Sequence, residues 1–296
     1  MRSANTGDFT RLLLLGTIWG SSFPVIRMAV EFISPLDLAA FRIAVAAVLL
    51  AAFVHWCGFP WPRDWRSWGM LACVGVLNSA LPFFLINWGE QHIESGSAAI
   101  LMAVSPLTAL LLSHFTTSDD RITPWKLAGL SLGFCGIAVL FGAGAMSGFG
   151  EETLSHIALL VAAVCYAVAG VLARRTRHVH PYAGTTVAMI CSAMVITPVA
   201  LLFEPLPAFG YSAGEWSLIL FLAIVPTAGA ALLLFRIIAD AGASFVSQVN
   251  FIVPVVGVLM GAALLGEEIG TREAVALTLV LAGIGISRIT KRRPTA

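Results

Sequence analysis

Runs of about twenty apolar residues recur along the chain, each closed by a short stretch of polar, proline or glycine residues. A helix of that length matches the hydrocarbon thickness of a bilayer. The pattern predicts ten spans, at 11–30, 36–55, 67–88, 95–115, 124–142, 155–174, 182–203, 215–236, 243–265 and 272–290. Leu12 to Val30 follows Arg2 and Arg11 as the core of a secretory leader would. It is long enough to span, carries Pro24 and Arg27, and leads into further spans, so it reads as the first helix. No stretch between spans is long or polar enough for a separate soluble domain.

The apolar runs occur in two matching sets. AILMAVSPLTALLLS, from Ala99 to Ser113, has a counterpart in SQVNFIVPVVGVLMG, from Ser247 to Gly261, with Pro106 and Pro254 standing 148 residues apart in a chain of 296. At the same offset Asp119 and Asp120 fall on Glu267 and Glu268, and Thr123 falls on Thr271. At one residue less, Trp19 falls on Tyr166 and Gly136 on Gly283. The expectation is a duplication into residues 1–148 and 149–296, with the glycine-rich stretch from Met146 to Gly150 as the connection. Five crossings per copy send the second copy into the membrane from the opposite side. The predicted fold is therefore an all-α integral membrane protein, ten transmembrane helices arranged as two inverted five-helix repeats.

Composition agrees with the pattern: 58% of residues are apolar and 11% charged, with a mean hydropathy of +0.91. The net charge of +1 carries little information, whereas the placement of charge carries much. With the amino terminus in the cytoplasm, fourteen of the seventeen Lys and Arg fall on cytoplasmic segments, and Arg27, Arg42 and Arg272 are the exceptions. Eleven of the sixteen acids fall on the other side. This predicts a multi-pass membrane protein with both termini cytoplasmic. The five cysteines show no CxxC spacing and read as buried thiols.

Trp19 and its mate Tyr166 sit deep in their spans, where an indole N–H or phenol O–H needs a partner. That partner is either a polar cavity or a backbone carbonyl. In the ninth span Ser247, Asn250, Pro254, Gly257 and Gly261 share one helix face, and their repeat mates in the fourth are Ala99, Met102, Pro106, Ala109 and Ser113. Small residues allow close helix approach, and midspan prolines free carbonyls that neighbours or a cavity must satisfy. The amides of Gln248 and Asn250 are costly in hydrocarbon and point to a substrate path or to interhelical bonds. Asn78 and Pro82 in the third span and Pro226-Thr227 in the eighth repeat the theme. The candidate cavity is thus Trp19, Ser22, Asn78, Met102, Tyr166, Gln248 and Asn250, with helix-breaking Pro82, Pro106, Pro226 and Pro254. Arg42, about two turns inside its span, has three readings: a ligand for a carboxylate, a snorkelling cation, or a partner of Asp37. No histidine or cysteine spacing suits a metal, and no nucleophile elbow or phosphate loop occurs, so neither catalysis nor a cofactor is expected.

Trp19-Gly-Ser-Ser-Phe-Pro, Phe41-Arg42, Ser105-Pro106-Leu, and Pro254 followed by Leu265-Gly266-Glu267 resemble the drug/metabolite transporter superfamily, EamA type. The likeness covers nearly the whole chain and is greatest to bacterial exporters of aromatic and other amino acids. One departure is Thr117-Ser-Asp-Asp where the family has Leu-Gly-Glu. The resemblance implies an exporter of a bacterial-type inner membrane, its two inverted five-helix repeats arranged around a central cavity walled largely by the third, fourth, eighth and ninth helices, with the first and sixth beside it. A lining of aromatic faces, a thioether and neutral amides suits a zwitterion with an apolar side chain better than a polyanion. The expected partners are a small-molecule substrate and the lipid bilayer, without nucleic acid; a monomer suffices and a homodimer stays open. Exporters of other small molecules or drugs, and a membrane-embedded subunit without transport activity, are the alternatives. All sixteen acids fall near span ends in this reading, Glu90 among those on the outer side, which predicts uniport or exchange without a proton site.

Overall fold

The computed structural model describes residues 5–116, 122–141, 150–204 and 210–288. Every regular element among these residues is a helix, and none is a strand. Nine helical segments among them are long and apolar enough to cross a membrane: Thr6–Ala29, Pro35–Trp56, Trp65–Gly89, Ser95–Leu112, Pro124–Phe141, Glu151–Thr176, Pro181–Phe203, Ala213–Ala241 and Ala243–Leu265. The tenth expected span is the helix Thr271–Ser287. Its 17 residues make it slightly shorter than the rest. Asp119, Asp120, Arg121 and most of the Met146 to Gly150 connection lie outside the described residues.

Local chemistry sets where the spans begin. Ser34 accepts the Asp37 N–H at 3.1 Å with Pro35 in the first turn, which needs no donor there. Asp64 caps the third span by accepting the Ser67 N–H at 2.7 Å. Ser212 and Glu215 form a reciprocal capping box on the eighth, 148 residues further on. The ninth span ends at Gly266, whose φ of 69° places it in the left-handed region that a helix stop requires.

Side-chain contacts sort the connections onto two ends of the bundle. At the end rich in basic residues, Arg11 pairs with Asp240 at 2.8 Å, the Ser67 hydroxyl meets His178 Nε2 at 2.8 Å, and Arg288 donates to the Ser247 carbonyl at 2.7 Å. At the acidic end, His92 approaches Glu151 at 3.5 Å and Arg272 approaches Glu152 at 3.6 Å. The fifth and tenth spans run antiparallel, with Gly129 against Gly283 and Gly136 against Ala276 and Val280. A Cβ on Gly129 would lie 2.5 Å from the Gly283 carbonyl oxygen, so close helix approach depends on glycine here. The first span packs parallel to the ninth, Gly16 on Ile252 and Gly20 on Val256. The main apolar core joins the first, fourth and sixth spans with the tenth around Ile26, Leu101, Leu159 and Val280.

The cysteines depart from expectation. Cys165 is buried, but Cys57, Cys73 and Cys135 are exposed on the protein surface. A small apolar thiol is as stable against lipid as against protein, so an apolar run does not distinguish the two.

Candidate functional site

Two spans contain a π-helical segment, Val76–Ala80 in the third and Ile224–Gly229 in the eighth, again 148 residues apart. Each flanks or contains a proline, whose missing N–H disrupts the ordinary ladder. In the eighth span Pro226 cannot donate to the Leu222 carbonyl, and the Thr227 hydroxyl does so instead at 2.8 Å. The Ala230 N–H turns to the Val225 carbonyl, which leaves the Pro226 carbonyl free to accept the Trp19 indole N–H at 3.2 Å. Trp19 therefore meets a backbone carbonyl, one of the two partners its depth required.

Thr227 also accepts from Arg42 Nε at 2.8 Å, and the guanidinium lies 4.1 Å from the centre of the Phe83 ring. Arg42 is 5% exposed. It neither snorkels nor pairs with Asp37; it crosses from the second span to the eighth inside the protein.

The fourth and ninth spans form the cavity between them and the sixth. The fourth span stops at Met102 and restarts at Ser105, which puts Pro106 in a first turn. The ninth breaks earlier, between Val246 and Val249, and carries Pro254 inside a continuous helix. A cavity of about 300 Å³ opens beside the break, lined by Ser105, Pro106, Ala109, Tyr166, Ala167, Gly170, Val171, Arg174 and Asn250. Arg174 belongs to the basic end, towards which the cavity leads. At the acidic end the same two spans touch. A Cβ on Gly257 would collide with Ala99, and Gly96 packs on Val258. Glu267 bridges the crossing: its carboxylate accepts the Ser95 N–H at 2.7 Å, the Ser95 hydroxyl at 3.0 Å and the Gly96 N–H at 3.0 Å. Those donors are free because they open a helix, and a carboxylate complements them.

Of the residues expected to line one cavity, Tyr166 and Asn250 do so, and Pro106, expected as a helix breaker, lines it with them. The others are placed elsewhere. The Ser22 hydroxyl donates to its own helix at the Trp19 carbonyl, 2.6 Å away. Met102 packs on the main core. Asn78 and Gln248 are exposed and are not among the residues that line the cavity. Helical periodicity assigns a face, and both of those spans change periodicity near these residues. Pro82, Pro226 and Pro254 are buried in their helices. Glu90 corrects the sequence reading most. Expected at the outer surface, it is wholly enclosed, and Ile93, three residues on, is buried in the same core as Ile26 of the first span and Leu101 of the fourth.

A second crevice of about 250 Å³ at the acidic end is lined by His92, Glu94, Ser97, Glu152, His156, Arg272 and Glu273, with Ile93 and Leu140. Partial burial, reinforced by Glu267, Glu273 and Glu268, holds the Glu94 carboxyl above the usual range. Among the described residues no cluster has the composition of a metal site.

The sequence profile of the EamA-like transporter family matches residues 9–142 and again 153–289. The inner membrane transporter YedA of Escherichia coli is 30% identical over 289 residues, covering 96% of this chain and 91% of its own. A transporter of Archaeoglobus fulgidus is 28% identical over 93% of this chain and 96% of its own. A probable terminal-alkyne amino-acid exporter of Streptantibioticus cattleyicolor is 33% identical, over 53% of this chain and 51% of its own. A crystal structure of another protein superposes with a TM-score of 0.68 at 19% identity, covering 96% of this chain and 97% of that one, which shows a shared fold. With its profile matched over both halves, this multi-span membrane protein belongs to the EamA-like transporter family.

Proposed function

We propose that the protein exports small zwitterionic metabolites, amino acids with apolar or aromatic side chains foremost, by alternating access between residues 1–148 and 149–296. The observation that carries this reading is the unequal crossing of the fourth and ninth spans. Their basic-end halves part around a cavity, while their acidic-end halves touch and are bridged by Glu267. With the basic end in the cytoplasm, as the charge distribution favours, this is a carrier open to the cytoplasm and closed to the outside. The cavity volume is at the lower bound of the roughly 300–1,000 Å³ of small-molecule sites. Tyr166 supplies an aromatic face, Asn250 and Ser105 supply neutral polar groups, and Arg174 supplies one cation for a carboxylate. A polyanion would need several cations. The exporter of terminal-alkyne amino acids among the relatives supports the same class of substrate.

Counterflow in liposomes tests it. Vesicles preloaded with unlabelled L-phenylalanine should take up labelled L-phenylalanine transiently above equilibrium. Tyr166→Ala and Asn250→Ala should reduce the initial rate about tenfold or more, near 1.4 kcal/mol of barrier, with normal amounts of protein in the membrane. Counterflow of nucleotide sugars but of no amino acid would discard the substrate class, and unchanged rates in both variants would discard the cavity.

A further inference from the structure

One face of the sixth span serves two cavities. Glu152 and His156 line the acidic-end crevice, while Tyr166, Gly170 and Arg174 line the central cavity. Leu159 and Ala163 stand between them, so the positions from Glu152 to Arg174 advance by three and four residues along a single stripe. On the fourth span Ser97 and Ser105 flank Leu101 in the same way, one serine in each cavity. Leu101, Leu159 and Ala163 are each 0% exposed. The two cavities therefore lie in line, with His156 about 15 Å from Tyr166 along the helix and a closed apolar section between them.

The chemistry of the crevice is that of a site short of donors. Some of its groups are engaged: Arg272 donates to the Val139 carbonyl at 3.2 Å and approaches Glu152 at 3.6 Å, and His92 lies between the Ser155 hydroxyl and Glu151. Four acceptors are not. Ser97 is 8% exposed, and its hydroxyl makes no hydrogen bond among the described residues. His156 is 3% exposed, and its Nδ1 donates to the Glu152 carbonyl at 2.8 Å. That bond fixes the tautomer, so Nε2 of the neutral ring carries an unpartnered lone pair. Glu94 caps no N–H, and neither it nor Glu273 pairs with a cation among the described residues. Buried polar groups are nearly always paired in folded proteins. A primary ammonium group brings three donors and the positive charge that two free carboxylates call for. The crevice volume of about 250 Å³ is that of a molecule rather than of a bare ion.

We propose that the acidic-end crevice is a second binding site, which holds the exported molecule by its ammonium group as it leaves the protein. Glu94, Glu273, Ser97 and the Nε2 of His156 accept its N–H groups. Opening of the acidic end parts the section at Leu101, Leu159 and Ala163 and joins the two cavities into one path along the sixth span. The proposal rests on the export reading above and adds to it a selective step on the outer side. An amine without a carboxylate fits the crevice, and a carboxylate without an amine is repelled by it.

The experiment uses the full chain in liposomes with the acidic end facing the bath, and two labelled probes. Phenethylamine has the ammonium group without the carboxylate, and 3-phenylpropionate has the reverse. Measured above protein-free vesicles, phenethylamine from the bath should bind and 3-phenylpropionate should not. Glu94→Gln and Glu273→Gln should each weaken the binding of the amine about tenfold or more. Glu94 is exposed and Glu273 half-buried, so both variants should fold. Ser97→Ala, which removes an acceptor but no charge, should weaken it less. Phenethylamine in the bath should also slow the release of L-phenylalanine preloaded in the vesicles, and Glu273→Gln should relieve that inhibition. Amine binding that is unchanged in both glutamine variants, or equal binding of 3-phenylpropionate, overturns the site. Amine binding that leaves the release of L-phenylalanine unaffected overturns its place on the export path. If L-phenylalanine is not carried at all, the substrate reading has failed and the amine decides the site alone. Phenethylamine binding that is lost in the two glutamine variants then supports the ammonium site, whereas binding that they retain, or none in the wild type, overturns it.

Discussion

The third and eighth spans keep their correspondence almost to the residue, and the fourth and ninth do not. Asp64 and Ser212 cap equivalent helices, and the π-helical segments begin at Val76 and Ile224, both pairs 148 residues apart. Pro106 and Pro254 are equally matched in sequence, yet one opens a new helix and the other is carried inside an old one. A proline without its N–H can be accommodated in either way, and the neighbours decide which. Around Pro254 the ninth span is clamped by the first span and by Ala99, so it stays continuous. Around Pro106 the neighbours leave about 300 Å³ unfilled, so the fourth span breaks there. Matched spans form the frame, and the unmatched pair forms the cavity.

The largest test of this contrast is at the crossing itself. Gly257→Leu would place a side chain where Ala99 already packs. Overpacking typically costs about 1–3 kcal/mol, and a backbone crossing has little room to relax. The expected result is loss of most folded protein in detergent-resolved size exclusion and a lowered melting temperature. Normal folding of Gly257→Leu would mean that the acidic-end contact is loose.

A smaller effect should separate the two prolines. Pro106→Ala allows the fourth span to join across residues 103–104 and should lower counterflow about tenfold, near 1.4 kcal/mol. Pro254→Ala restores a donor within an already continuous helix and should leave counterflow within about twofold while raising stability by up to about 1 kcal/mol. Equal losses in both variants would remove the distinction drawn here.

The smallest effect concerns the matched caps. Hydrogen bonds from Ser67, the backbone N–H first, hold the Asp64 carboxyl below its usual range. A lowered value means that its contribution is present above the unfolded pKa of about 3.9 and is lost as pH falls through the folded value. Ser212 caps the eighth span without titrating. Asp64→Ser should therefore flatten the acid limb of the melting temperature measured between about pH 6 and pH 3, and an unchanged limb would show that other carboxylates dominate it.

The alternation of apolar runs and charges was sufficient to predict spans and the separation of basic from acidic ends, because each depends on residues close in sequence and on one solvent boundary. It also marked Tyr166, Asn250 and Pro106, which meet in the cavity. It did not place Trp19 on the Pro226 carbonyl, Arg42 on Thr227, or Glu267 on Ser95, since each contact joins segments more than 170 residues apart. Nor could it recognise Glu90 as buried: its neighbours in the chain are those of a surface turn, and it is enclosed by helices from elsewhere. Hydropathy along the chain reports exchange between water and lipid, which is local. Whether a carboxyl at a span end faces water or protein depends on which helices cross above it, and that was decided by the packing of glycines 16, 20, 96 and 257 against their partners.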